Sequence, residues 1–283
     1  MLRLTPQPTE IVEFELDQLF EELFLRCHAK GISPVRYLQL DGDEPHGGVP
    51  GRWRPSSLNY CMRKQVYKAL RCKKNWPPPN PEQQFGMFDR GHVLGAWAAA
   101  YFMAMQAEGL ICNVRTGARG SKEAVAQDIY TKLGGKIDIL FDIYWKPGVV
   151  SKYIVEVKSK ENAAAMKKLA AAEKLHVQQL NDYMGMEKLK FGWVLYIGPE
   201  SREKNPTSTK IRIKSFPHHF DEKIWAASVH RCGMLDAFYR QPDILAPKTK
   251  NEFFECGSCQ WFVPCQDDIP PAKAAKSGEA LPR

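Results

Sequence analysis

No stretch of this chain is apolar for the roughly 20 residues that a bilayer-spanning helix needs. The opening residues, Met1-Leu2-Arg3-Leu4-Thr5-Pro6, lack the apolar core of a secretory signal. A soluble, cytoplasmic protein with no membrane partner is therefore expected. Internal repeats, a glycine-rich nucleotide-binding loop and helicase motifs are also missing, which argues against a solenoid, a nucleotide-binding fold and a fused motor. Disulfides are rare in the cytosol, so the eight cysteines call for another role. An acidic excess is lacking as well. The net charge is +8 and the pI about 9.0, which suits a polyanionic partner without specifying one.

The 283 residues suffice for one large domain or one domain with additions. Residues 1–50 read as an N-terminal helical extension. Thr9 caps a helix running to about Lys30, with Ile11, Leu16, Phe20 and Leu23 near helical spacing, and Gly31 ends it. Residues 41–51 have the composition of a loop. Ser56 or Ser57 then caps a helix to about Leu70, with Cys61 near its first turn, where the helix N-terminus favours a thiolate. Basic residues from Arg52 to Lys74 alternate with Trp53, Tyr60, Tyr67 and Trp76. This run is either a phosphate-tracking surface or a solvated helix face with aromatic packing. Pro77 to Pro81 reads as an extended spacer. A buried helix is expected from about Val93 to Glu108, with His92 near its start.

One or two strands are expected within 110–130, with a turn around Gly117–Gly120. Helices follow from Ala163 to about Leu175 and over Val177–Met184. Strands are expected over Lys190–Ile197 and Lys210–Phe216, then a helix from an Asp221 cap to about Tyr239. From Pro270 onward the composition is that of a flexible tail. This order describes a mixed α/β core, a hairpin-containing sheet flanked by helices.

The centre of the chain is Gly134-Gly135-Lys136-Ile137-Asp138-Ile139-Leu140 and, after a turn at Pro147-Gly148, Tyr153-Ile154-Val155-Glu156-Val157-Lys158-Ser159. Both pieces alternate as strands do. If they pair antiparallel, Asp138 comes near Glu156 and Lys158, and the latter two leave the same face of their strand. Two adjacent carboxylates repel, so such a face favours a divalent cation between them. A lysine beside them can orient a water or stabilise developing negative charge. This is chemistry for metal-assisted cleavage of a phosphodiester. Charged residues on the solvent face of a hairpin would give the same pattern with no function.

Near the C-terminus, Cys256-Gly257-Ser258-Cys259-Gln260-Trp261-Phe262-Val263-Pro264-Cys265 places three cysteines within ten residues. In a cytosolic protein this spacing points to a metal centre. Three thiolates want a fourth. Cys27, Cys61, Cys72, Cys112 and Cys232 are available, and Cys61 is favoured because it begins a helix beside basic and aromatic residues. One distant cysteine with a triad fits a [4Fe–4S] cluster better than Zn²⁺, which more often takes two close pairs.

Asp138, Glu156-Val157-Lys158, Gln179-x-x-x-Tyr183 and the split cysteine set resemble the RecB-type branch of the PD-(D/E)XK nucleases. Within it they are most similar to the iron–sulfur group of CRISPR-associated exonucleases, the AddB nuclease domain and phage relatives. The resemblance covers roughly residues 55–266. It implies a restriction-endonuclease-like nuclease domain over 51–266 closed by the cluster, with the extension (1–50) before it and a tail (267–283) after it. It further implies that Asp138 and Glu156, with the Val157 carbonyl, bind Mg²⁺ or Mn²⁺, that Lys158 positions the attacking water, and that Gln179 and Tyr183 hold the DNA strand or the lysine. Cys61, Cys256, Cys259 and Cys265 would hold a structural cluster near the DNA path. The implied partners are DNA, single-stranded or with free ends, and a second copy or a recombination or adaptation protein. One position departs from the family pattern: Gly95 stands where a histidine ligand is expected, and His92 is the replacement nearest in sequence. A DNA-binding or assembly module that no longer cuts, and a zinc-stabilised scaffold unrelated to DNA, are the alternatives.

Overall fold

Period-two alternation sorts the central strand residues onto two faces, and the fold is built by covering both. The computed structural model describes residues 14–33, 51–72, 81–116, 124–160, 163–199, 211–248, 256 and 259–271, without the side chains of 81–92, 199, 211, 262 and 263. The strands are β1 (Cys112–Arg115), β2 (Ala124–Asp128), β3 (Leu133–Ile137), β4 (Ile139–Lys146), β5 (Val149–Ser159), β6 (Phe191–Pro199) and β7 (Ile211–His219). Five of them form one mixed sheet in the order β1-β4-β5-β6-β7, and β2 pairs with β3 in a separate two-stranded sheet. Within the five-stranded sheet β5 and β6 are parallel and the β1–β4, β4–β5 and β6–β7 pairs antiparallel. The helices are α1 (Leu16–Ala29), α2 (Met62–Ala69), α3 (Pro81–Ala107), α4 (Ala163–Lys168), α5 (Lys174–Glu187), α6 (Glu222–Arg240) and α7 (Phe262–Gln266).

The chain divides into two compact units. The first comprises residues 1–49, 87–126 and 136–221, the second 50–86, 127–135 and 222–283. In the first unit, Phe141, Tyr153, Val155, Trp193 and Leu195 leave one face of the five-stranded sheet and pack with Phe20 and Leu23 of α1 and Phe102 and Met105 of α3. The opposite face carries Leu140, Ile154, Val194 and Tyr196, covered by Met166 of α4 and by Leu180, Tyr183 and Met184 of α5. A parallel pair needs a long crossover, and α4 with α5 provides it between β5 and β6. Gly192 allows the tight approach of these strands. A Cβ there would lie 2.6 Å from Ile154 Cγ2 and 2.7 Å from Ile154 O. Gly192→Ala is expected to lower stability by about 1–3 kcal/mol, read as a shifted denaturant midpoint.

In the second unit, α2 packs on α6, with Val66, Tyr67, Cys232 and Leu235 buried. Trp53 bridges to Leu133. Gly51, at φ +89°, lies so close to Gly134 that a Cβ would meet its backbone nitrogen at 2.7 Å. Part of the basic and aromatic run is taken up in packing. Trp53 and Tyr67 are buried, the Arg52 guanidinium stacks 3.7 Å from the Tyr239 ring centre, and Arg63 is only 7% exposed. Tyr60, with Lys64 over its ring, and Lys68 and Arg71 are exposed, and residues 73–76 lie outside the described residues.

Several boundaries differ from the sequence expectations. The helix expected from Val93 begins at Pro81, because proline's fixed φ and missing N–H suit the first helical position. His92 therefore lies inside α3 rather than near its start. Ser56 and Ser57 belong to a short 3₁₀ turn (Pro55–Ser57), and α2 starts at Met62 with Cys61 in the cap position. The strand expected over 134–140 is broken at Asp138, since its first half pairs with β2 and its second with β5. α1 begins at Leu16. The Thr9 cap, the loop over 41–50, the spacer over 77–80, the Gly117–Gly120 turn and the tail beyond 271 lie outside the described residues. No helix among the described residues is long and apolar enough to cross a membrane.

Candidate active site

The two-residue turn at Pro147-Gly148 fixes the hairpin register, with Ile139 opposite Val155 and Leu140 opposite Ile154. One step further, Asp138 falls opposite Glu156 at the point where the chain bends from β3 into β4. The bend turns its carboxylate back onto β5, where Oδ2 accepts the Val157 N–H at 2.8 Å. Glu156 shares its strand face with Ile154 and Lys158, beneath α5, and is 1% exposed. Lys158 forms an ion pair with Glu156 and donates from Nζ to Gln179 Oε1 at 3.0 Å. Gln179 is one turn before Tyr183 on the buried side of α5, and Tyr183 packs in the apolar cluster with Leu180 and Met184. Asp138, Glu156, Lys158 and Gln179 thus meet in one place within the first unit.

The electrostatics are those of two carboxylates held too close and too dry. Burial, and then the Asp138 charge, push Glu156 up to about 8, with Lys158 opposing. Burial likewise raises Asp138, against the pull of Lys158 and the Val157 amide. Burial alone would lower Lys158, but Glu156 and Asp138 together hold its ammonium above the ordinary lysine value. Both Glu156 oxygens are buried without a hydrogen bond of good geometry. Such a pair fits a divalent cation, since hard oxygen donors and surplus negative charge are what Mg²⁺ and Mn²⁺ take. No group of three or more His, Cys, Asp or Glu side chains among the described residues forms a ready metal centre. A cation here would therefore be completed by water and main-chain oxygen.

A pH dependence follows. Glu156 is raised in the fold from 4.5 to about 8, so folding takes up a proton. Its contribution is full below about 4.5 and is lost as pH rises through about 8. Metal-free protein should lose up to a few kcal/mol between pH 6 and pH 9 in urea titrations, and Mn²⁺ should flatten that slope. Stability rising over this window in EDTA would contradict the buried pair.

In the second unit, Cys61, Cys256, Cys259 and Cys265 line one small cavity with Lys64, Tyr67 and Gln266. Buried Arg63 ties the region to α2, donating to Ala246 O at 2.7 Å, Cys265 O at 3.1 Å and Asp268 Oδ1 at 2.6 Å. Tyr67 Oη donates to the Ile269 carbonyl at 2.5 Å with Pro264 O also 3.2 Å away, and Trp261 Nε1 donates to Cys72 O at 3.0 Å. Burial raises the Cys265 thiol, with Arg63 opposing. The other cysteines lie elsewhere. Cys72 is pushed by burial to about 11 and faces the Pro271 carbonyl, and Cys112 faces Asp142 O. Cys27 sits in the core of the first unit and Cys232 is buried on α6. The side chain of His92 lies outside the described residues, and a Cβ on Gly95 would meet nothing within 4 Å.

Two polar groups beside Lys158 were not singled out from the sequence. Tyr196 is the register partner of Lys158 on β6, and His176 lies three residues before Gln179 on α5. The alternation of β6 and the helical spacing of α5 were the signals that could have found them.

No family model matches the chain, and no curated protein matches it. Among solved structures it is similar to SSO0001, at 17% identity and a TM-score of 0.40 over 91% of this chain and 96% of that one. It is also similar to an alkaline exonuclease, LHK-Exo, from Laribacter hongkongensis, at 13% identity and a TM-score of 0.42 over 78% and 93% of the two chains. The same exonuclease in complex with dAMP gives 14% identity and 0.43 over 67% and 88%. These likenesses are remote.

Proposed function

We propose that the protein is a divalent-metal-dependent DNA nuclease, an exonuclease acting on DNA ends or single strands. Buried Glu156 beside half-buried Asp138, with Lys158 against them, carries this reading, because two carboxylates held together out of water are costly unless a cation joins them. Asp138, Glu156 and the Val157 carbonyl would hold Mg²⁺ or Mn²⁺, which supplies charge neutralisation at the scissile phosphate and a more acidic water. Lys158, fixed by Gln179 and Glu156, aligns the nucleophile. Tyr183 supports the turn of α5 that presents Gln179. The leaving 3′ oxygen takes its proton from solvent. The basic net charge favours the polyanionic substrate. Cys61, Cys256, Cys259 and Cys265 would hold a [4Fe–4S] cluster, or Zn²⁺, that ties the C-terminal segment to α2.

A second reading, a DNA-binding module that no longer cuts, is favoured by the same two-carboxylate set and by Gly95 in place of a third ligand. End-labelled single- and double-stranded DNA incubated with Mg²⁺ or Mn²⁺ and anaerobically purified protein separates the two. Digestion by the wild type and its loss in Lys158→Ala supports the nuclease. Tight DNA binding without digestion supports the module.

A further inference from the structure

Behind Lys158 lies a second polar cluster, on the same sheet face and the same side of α5. Tyr196 is fully buried, yet its hydroxyl has two partners: it accepts the Glu173 N–H at 2.9 Å and lies 2.7 Å from His176 Nδ1. With the Glu173 amide donating to the oxygen, the hydroxyl hydrogen needs an acceptor, and His176 Nδ1 is the one in reach. The proton of His176 then sits on Nε2. Glu173 Oε2 is the more distant neighbour of Nδ1, at 3.4 Å against 2.7 Å for the Tyr196 oxygen, and the other Glu173 oxygen pairs with Lys160. Nε2–H has no protein acceptor among the described residues, and the side chain keeps 22% of its surface open. Gln179, three residues on, holds the Lys158 ammonium.

The geometry points to His176 as a substrate-positioning residue: its Nε2–H, aimed by Tyr196 Oη, donates to a backbone phosphate oxygen of the DNA strand beside the scissile linkage. The inference rests on the nuclease reading and adds a subsite to it. A fixed neutral donor flanked by Lys158 and Lys160 is suited to a phosphate oxygen, since hydrogen bonds to an anion are about twice as strong as neutral ones. Burial, with Lys158 adding to it, holds His176 down to about 4, and burial holds the Tyr196 hydroxyl up to about 12. Both groups therefore keep these hydrogen-bonding roles at neutral pH.

The test is a phosphate scan. Binding of end-bearing oligonucleotides is measured with Ca²⁺ in place of Mg²⁺, with a methylphosphonate placed at each linkage near the cut in turn. His176→Ala is expected to weaken binding by about tenfold or more, with kcat changed less than KM. His176→Gln, which keeps a donor and an acceptor, should recover most of it. At one linkage the methylphosphonate should weaken the wild type and leave His176→Ala unaffected, a coupling that a purely structural role would not produce. If His176→Ala does not fold, Tyr196→Phe, which releases the imidazole, should show the same loss. Unchanged affinity, or penalties that add at every linkage, overturns the inference while digestion by the wild type leaves the nuclease reading standing. A wild type that neither binds nor cuts DNA removes the nuclease reading and this subsite with it.

Discussion

Glu156→Gln is expected to cut DNA digestion by at least about a hundredfold while leaving the fold in place. The amide matches the carboxylate in shape, so the packing under α5 is kept. What disappears is the charge that, with Asp138, makes the site attractive to a cation and anchors Lys158. The same substitution should not destabilise metal-free protein at pH 9, where the wild type carries a carboxylate it can hardly solvate. Loss of activity with equal or higher stability marks a residue kept for chemistry rather than for folding. Wild-type digestion by Glu156→Gln would remove the site.

Cys259→Ser should have the largest effect on stability. Four thiols from two distant parts of the sequence line one cavity, and a metal held there, as proposed, would close a ring from residue 61 to residue 265. In small metal-held structures the binding free energy is folding free energy, so loss of one thiolate should lower the stability of the second unit by several kcal/mol. Metal analysis should find iron and sulfide, or zinc, in the wild type and a depleted variant. Hydrogen exchange should accelerate along α2 and α7. Cys72→Ser, which alters a buried thiol away from the cavity, should leave the metal content unchanged. Equal metal content in wild type and Cys259→Ser would show that the cavity is only packing.

Local rules carried far in this chain. The alternation of β4 and β5, with a two-residue turn between them, was enough to place Asp138 opposite Glu156 and Lys158 on the Glu156 face. The four-residue spacing of Gln179 and Tyr183 put both on one side of α5. Cys61, favoured for its place at the start of a helix, lies with Cys256, Cys259 and Cys265 around one cavity. Other features depend on partners that no local pattern reveals. Arg63 looked like an exposed cation, yet its partners Ala246, Cys265 and Asp268 are 183 to 205 residues away. The break at Asp138 was hidden because β3 and β4 read as one alternating strand and change partners in its middle. The early start of α3 was missed because Pro81 was read as the end of a spacer and not as the first residue of a helix.

Titration of Mn²⁺ into metal-free wild type and Asp138→Asn, followed by calorimetry at pH 8, asks whether the two carboxylates hold a cation. Saturable binding to the wild type is expected, with release of protons as the raised Glu156 gives its proton up, and loss of that binding in Asp138→Asn. Equal binding by both proteins, or none by the wild type, would contradict a cation site at the Asp138–Glu156 pair.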